Sequence, residues 1–270
     1  MMAPHITNEE LHQRFNPEGS LLRQQQMRML DLLLEIDRIC KKHNIQYWLG
    51  SGTLLGAVRH RGFIPWDDDL DIEILWSDYQ RLLKVLPTEL PPTMALQCMQ
   101  TDRNYFYFYA KVRDRRSRLE EVNQYDRFWK EKGIYIDVFP IHRHPTWVHL
   151  VSEKLQGHVY KIIRLMGESD KDMWKVRLIT RMNERLFYPI MRMLCRFSKA
   201  KHTLAFGIPF HSLRPMEHIL PLTEAEFEGH SFPVPKDSHS ILTLLYGDYM
   251  QLPDIDKLQL HVGKLEIYDE

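Results

Sequence analysis

The sequence predicts an α+β protein with an α/β-like core, in which a mixed sheet lies near an acidic centre, helices surround it and a helical segment is inserted. Three patterns predict this. Residues 70–75 and 133–139 alternate apolar and polar side chains with the period of two that half-buried strands show. Residues 21–43 repeat apolar side chains at helical spacing. From 147 to 201 the texture becomes helical, so strands and helices alternate first and a helical block follows.

Taken in order, the 21–43 helix places Leu30, Leu33, Leu34, Ile36 and Ile39 inward, has Lys41, Lys42 and His43 in its last turn, and ends at Asn44. Residues 46–49 read as a short strand entering Gly50-Ser51-Gly52. Residues 53–59 read as a short helix with Leu54, Leu55 and Val58 inward. Gly62 and Pro65 break the pattern before the 70–75 strand, which sets Asp69 and Asp71 on one face. A helix over 77–86 is stopped by Pro87, Pro91 and Pro92. Strands are expected at 96–99, at 105–112 with Tyr107, Tyr109 and Lys111 on one side, and at 133–139, where Pro140 ends the strand or marks the sheet margin. Within the helical block, Trp174, Leu178, Met182 and Leu186 form one face and Arg177, Arg181 and Arg185 another, with Pro189 kinking or dividing the helix. Residues 227–235 read as turns, 240–246 as helix and 247–249 as a turn, before an acidic tail after Pro253.

With 270 residues, 44% hydrophobic and 27% charged, the chain can bury one substantial core. No linker divides it, so the expected organisation is an extension (1–20), a core (21–142), a basic helical insertion (143–202) and a C-terminal segment (203–270). No run of about 18 apolar residues would span a membrane, and Met1 to Asn8 has no apolar run of a secretory leader. Cys40, Cys98 and Cys195 form neither a disulfide framework nor a zinc-ligand spacing. A cytoplasmic location is therefore expected. The net charge is zero, which makes nucleic acid an unexpected partner. Yet thirteen Lys/Arg face five Asp/Glu between residues 143 and 202. That surplus suits a phosphate-bearing substrate, an anionic membrane surface or simply a solvated basic face.

The chemistry centres on Trp66-Asp67-Asp68-Asp69-Leu70-Asp71. Asp69 and Asp71, about 7 Å apart on one strand face, can hold Mg²⁺ or Mn²⁺ and leave positions for phosphate oxygens. Asp137, between Ile136 and Val138, is the expected third ligand, and Asp67 is a further candidate. The other reading is a solvated acidic turn, with Asp137 paired to an arginine. Gly50, Ser51, Gly52 and Thr53 precede a helix start and can approach a phosphate with backbone amides. Arg59, His60, Lys111 and Arg113 are candidate phosphate clamps, each equally readable as a structural or surface group. Trp66 either stacks on a base or anchors the core.

The stretch 47–60, continuing through Gly62-Phe63-Ile64-Pro65-Trp66-Asp67-Asp68-Asp69-Leu70-Asp71-Ile72, closely resembles the LicD family. So do Lys111-Val112-Arg113-Asp114, the 133–140 segment and Leu244-Leu245-Tyr246-Gly247-Asp248-Tyr249. The resemblance implies a divergent nucleotidyltransferase fold, with the Gly-Ser turn at Gly50 and Ser51 and the carboxylates at Asp69, Asp71 and Asp137. It implies transfer of phosphocholine or another alcohol phosphate from CDP-choline or a related CDP-alcohol, with release of CMP. The acceptor would be a sugar hydroxyl of a cell-surface glycan such as teichoic acid or lipopolysaccharide, or a lipid-linked precursor at the inner membrane face. Fukutin-type relatives imply CDP-ribitol as another donor. The basic insertion is where acceptor choice would vary, and peripheral contact with anionic membrane follows if the acceptor is lipid-linked. One departure stands out: where the family usually has an arginine before a histidine, this chain has Lys257 and then His261. Rival expectations are nucleotidyl transfer to a sugar or alcohol phosphate, and a non-catalytic glycan-binding module on a transferase fold.

Overall fold

The computed structural model describes residues 7–195, 200, 202–208, 213–255 and 262–268. Its centre is a mixed sheet. A capped helix α1 (Asn8–Phe15) leads into α2 (Leu21–His43), β1 (Tyr47–Leu49), α3 (Ser51–His60), β2 (Asp71–Leu75) and α4 (Trp76–Glu89). Next come β3 (Met94–Gln97), β4 (Ala110–Asp114), β5 (Ser117–Glu121) and the long β6 (Tyr135–Arg143). The helical block is α5 (Thr146–Met166), α6 (Met173–Met182) and α7 (Tyr188–Cys195). The chain finishes with β7 (His202–Leu204), α8 (Met216–Ile219), the hairpin β8 (Thr223–Phe227) and β9 (His230–Val234), α9 (Ser238–Tyr246) and β10 (Val262–Ile267).

The strand order is β1-β2-β6-β4-β3, with β7 continuing beside the far half of β6. Only β2 and β6 run parallel; the other neighbours in this sheet are antiparallel. This is the mixed sheet with surrounding helices that the sequence predicts. Ile72, Ile74, Val112, Ile136 and Val138 are buried in one core with Met29, Leu32, Leu33, Ile36 and Ile39 of α2. Burial of such a row drives the helix onto the sheet more than its own propensity does. Ser20 caps α2 by accepting from Arg23 N, and Asn44 ends it in the left-handed region at φ 50°.

Several boundaries differ from the sequence reading, each for a physical reason. α4 runs through Pro87 to Glu89. The proline lies in the last turn, where little helix remains to be lost, and Leu90 N still bonds Leu86 O. β4 begins only at Ala110, because β3 ends opposite Lys111 and beyond Val138 the edge of β6 is taken by β7. Tyr105, Phe106 and Tyr107 instead fill a second core with Trp129, Val159, Ile163 and Met173, while Phe108 packs with Val148, Tyr188 and Phe206. β6 passes through Pro140 rather than ending there, at the point where β4 gives way to β7. Pro140 O accepts from Ala205 N, so the proline's missing donor falls in the hand-over and breaks no ladder bond. Residues 227–235 are a β-hairpin rather than turns alone: Glu228 and Gly229 have φ of 50° and 76°, the paired positive angles of a two-residue hairpin loop. Val58 is exposed, whereas Leu54 and Leu55 are buried as expected. Pro189 does not divide its helix, for a π turn over Asn183–Phe187 joins α6 to α7 without a break. β5 and β10 pair in a small sheet that the sequence does not announce.

Gly133 enters β6 beside the end of β4, and a Cβ there would lie 1.6 Å from Asp114 O. Gly133→Ala is expected to destabilise the protein by at least about 3 kcal/mol, read as a lower urea midpoint at unchanged slope. A midpoint like that of the parent would contradict this packing.

Candidate active site

The register of the sheet builds the site. Asp71 of β2 stands beside Asp137 of β6, and Asp137 stands opposite Lys111 of β4. In-register neighbours project to the same face, so these three side chains form one row across three strands. Backbone bonds hold the row in place. Asp137 N donates to Leu70 O at 2.8 Å, Gly50 N to Asp71 O at 3.0 Å, and Asp71 N to Thr53 Oγ1 at 2.8 Å. The Gly50–Thr53 turn thus grips the start of β2. Gly50 has to be glycine, since a Cβ would sit 2.6 Å from Glu73 Cγ. Ser51 has φ 43°, a left-handed conformation uncommon for serine and found more often at functional turns.

Above this row lies a cavity of about 860 Å³. Ser51, Gly52, Asp67, Asp69, Asp71 and Asp137 line it, together with Lys111, Glu121 and Arg214. Its remaining wall is mostly aromatic, with Tyr107, Tyr109, Tyr125, Tyr135, Phe139, Tyr160 and Tyr246 beside Val122, Asn123, Leu204 and Leu245. Tyr107 stacks on Tyr109 at 4.9 Å between centroids, and Tyr125 on Tyr160 at 5.3 Å. A smaller cavity behind Trp76 and Tyr188 holds none of the acidic row.

The electrostatics follow from burial. Asp71 is held well above the usual carboxylate range by its desolvation, then by the charges of Asp69, Asp137, Asp67 and Glu73. Desolvation also pushes Asp137 up to about 6, opposed chiefly by Lys111. Lys111 is 2% exposed, with Nζ 2.8 Å from Asp137 Oδ1, 3.6 Å from Glu121 Oε1 and 3.3 Å from the Tyr135 ring centroid. The Lys111–Asp137 contact is an ion pair off the hydrogen-bonding direction, since Oδ1 has no hydrogen-bond partner. Beside the cavity, Arg214 grips Glu73, with Nη2 2.6 Å from Oε1 and Nε 2.9 Å from Oε2, and Trp48 Nε1 donates to Glu73 Oε2. The polar side of β2 is therefore covered, not solvated.

The predicted residues divide by position. Asp67, Asp69, Asp71, Asp137, Ser51, Gly52 and Lys111 meet at the cavity. Asp68 is turned away and accepts from Val262 N at 2.9 Å, tying β10 to the acidic loop. Gly50 and Thr53 position β2 without lining the cavity. Arg59 and His60 also lie off it: Arg59 Nη1 donates to Tyr249 O, its Nε to His60 Nε2, and His60 Nδ1 meets Asn8 Oδ1. Arg113 is fully buried, donating to Gln97 Oε1 and Gly133 O, so it braces β3 and β6 rather than facing the cavity. Trp66 packs edge-on against Phe15 and His60, which favours the anchoring reading. Lys257 and His261 lie outside the described residues. Glu121, Arg214, Tyr125 and Tyr160 join the site without any local motif announcing them, and Tyr246 joins it from the 244–249 block. For Arg214 the only signal is the buried charge of Glu73, 141 residues away.

Among the described residues, no group of three His, Cys, Asp or Glu side chains is already drawn together around a metal position. The donor set nonetheless suits a hard divalent cation. It offers only carboxylate oxygens, they repel one another, and Asp137 Oδ1 has no hydrogen bond.

Residues 44–156 match the family model described as LicD/FKTN/FKRP, nucleotidyltransferase domain. The chain is 28% identical over 263 residues to the lipopolysaccharide cholinephosphotransferase LicD of Haemophilus influenzae, covering 89% of this chain and 95% of that protein. An uncharacterized protein of Rickettsia prowazekii is 51% identical over 59 residues, 22% of each chain. The human ribitol 5-phosphate transferase FKRP is 53% identical over 34 residues, which are 13% of this chain and 7% of that protein.

Replacing Asp71 with Asn removes one repelling charge while keeping the side chain's shape. Without metal, Asp71→Asn is expected to raise the melting temperature at pH 7.5 by about 2–4 °C, or roughly 1 kcal/mol. The parent, but not the variant, should gain stability on adding Mn²⁺. Equal stabilisation of both by Mn²⁺ would place the ion elsewhere.

Proposed function

Because residues 44–156 form a LicD-family nucleotidyltransferase-like domain, related to the FKRP and fukutin proteins, we propose that the protein transfers an alcohol phosphate, phosphocholine or similar, from a CDP-alcohol to a sugar hydroxyl. The observation that carries this is the in-register pair Asp71–Asp137 beneath an aromatic-walled cavity, with the Gly50–Thr53 turn alongside. Asp69, Asp71 and Asp137, with Asp67 as a further ligand, would hold Mg²⁺ or Mn²⁺. That ion would supply charge neutralisation along the diphosphate.

The chain's own groups do the rest. Backbone amides of Ser51 and Gly52, at the start of α3, receive phosphate oxygens. Lys111, facing Asp137 and Glu121, balances charge at the donor's phosphate. The acceptor hydroxyl attacks the phosphorus bearing the alcohol, a new O–P bond forms, and the bond to CMP breaks. The hydroxyl proton passes to Asp137 or Asp67. The tyrosine wall gives π faces for the cytosine base or for a quaternary ammonium head, which supports choline among the candidate alcohols. The acceptor would be a cell-surface glycan or its lipid-linked precursor, bound with help from the basic insertion 143–202. A cytoplasmic location, reaching the inner membrane face, belongs to the same reading. Nucleotidyl transfer to a sugar or alcohol phosphate is the second reading, because the same acidic row could serve it.

A panel of CDP-choline, CDP-ethanolamine, CDP-glycerol and CDP-ribitol with Mg²⁺ separates the two. CMP release with alcohol phosphate on the glycan is expected, reduced by about 10³-fold or more in Asp71→Ala and in Asp137→Ala. Pyrophosphate release from a nucleoside triphosphate would overturn the proposal in favour of the second reading. The pH profile gives a further check. Asp137 must be ionised to bind a cation or take a proton, and burial has raised its pKa. At Mg²⁺ concentrations below saturation, activity should therefore fall as pH drops through about 6 and level off above it. A flat profile from pH 5 to 8 would contradict a role for this carboxyl.

A further inference from the structure

The helical hairpin formed by α5 and α6–α7 turns an apolar face to solvent. Trp174, Leu178, Met182 and Leu186 are 55%, 51%, 51% and 59% exposed, and Ile190, Met193 and Leu194 continue the row. An i, i+4 row drifts around an α-helix, and the wider π turn over Asn183–Phe187 takes back part of that drift. The buried side of the same element is Met173, Val176, Thr180 and Asn183. Arg177, Arg181 and Arg185 fall between the two rows, along the seam where the helix meets the body. Between Met173 and Cys195 the one acidic residue is Glu184, half-buried and accepting from Gln100 Nε2.

The seam holds a cavity of about 500 Å³ lined by Arg103, Arg177, Arg181 and Arg185, with Glu184 the one carboxylate in the lining, so positive charge is in excess there. Among the described residues none of these arginines forms an ion pair, although arginine seeks anions. Two further groups in the lining, the Tyr105 hydroxyl and Thr180 Oγ1, are buried without a hydrogen-bond partner. Buried donors left unsatisfied in a cavity lined by several arginines fit phosphate oxygens. A second protein would have to offer both an apolar groove and an acidic prong at this spacing. A phospholipid surface offers hydrocarbon and phosphate side by side everywhere. No helix among the described residues is long and apolar enough to cross a membrane, so contact of this kind is peripheral.

We infer that the outer face of α6–α7 docks on a bilayer of anionic phospholipid, its apolar row entering the hydrocarbon boundary and lipid phosphate entering the arginine-lined cavity. Tyr160, on α5 of the same hairpin, lines the acidic cavity, so the docked hairpin is also part of that cavity's wall. The inference needs no nucleotide and stands or falls apart from the transferase reading.

The test is flotation of the whole chain with vesicles of phosphatidylcholine alone and with vesicles containing about one-third phosphatidylglycerol. Binding is expected to the second kind, weakened by salt. It should fall at least about 10-fold in Leu178→Glu with Leu186→Glu, and in Arg181→Glu with Arg185→Glu. These positions are exposed, and unchanged melting curves confirm folding. Independently of those variants, brominated lipid should quench the parent's fluorescence less after Trp174→Phe. Inorganic phosphate and pyrophosphate, titrated without vesicles, separate a soluble anion from a lipid headgroup. The inference is overturned by absence of anionic preference, by parental binding in both double variants, or by tight pyrophosphate binding without vesicle binding.

Discussion

Two carboxylates on adjacent parallel strands, in register and largely withdrawn from water, repel each other unless a cation or a proton intervenes. The Asp71–Asp137 pair imposes this constraint, and much of the surrounding structure answers it. Lys111 faces Asp137 from the next strand, and Arg214 neutralises Glu73 one pleat farther along β2. Gly50, Thr53 and Leu70 hold the backbone so that the pair cannot splay apart. A preorganised anionic row costs stability in the free protein, and under the proposed function that cost would become affinity for a cation carrying a diphosphate. Desolvation first, and neighbouring carboxylate charge after it, raise the pKa of both Asp71 and Asp137.

The acidic row was legible in the sequence because its signals are local. Alternation in β2 put Asp71 on the polar face, and a lone aspartate between Ile136 and Val138 marked β6. What the sequence could not supply was distance. Arg113 and Lys111 look alike as basic residues two positions apart on one strand. Only the packing shows that Lys111 reaches Asp137 while Arg113 braces Gln97 and Gly133. Arg59 and His60 adjoin the acidic loop in sequence, yet the turn after α3 sends them toward Tyr249 and Asn8. Glu121 and β10 stayed hidden because β5 pairs with a strand about 140 residues later, a contact that leaves no local pattern.

The apolar row of the helical block teaches a related lesson. Periodicity found Trp174, Leu178, Met182 and Leu186 on one face, and such a face usually packs inward. Here the opposite row, Met173, Val176 and Thr180, does the packing, leaving the longer row outside. Periodicity reports that a helix is amphipathic. It does not say which neighbour, core or lipid, its apolar face is meant for.

The claim that the acidic row is a cation site for a diphosphate can be tested by anomalous diffraction from crystals grown with Mn²⁺ and CDP. The account predicts an anomalous peak about 2.0–2.3 Å from carboxylate oxygens of both Asp71 and Asp137, with a CDP phosphate oxygen in the same coordination shell. A peak remote from both carboxylates, with Asp137 still paired to Lys111 alone, would contradict it.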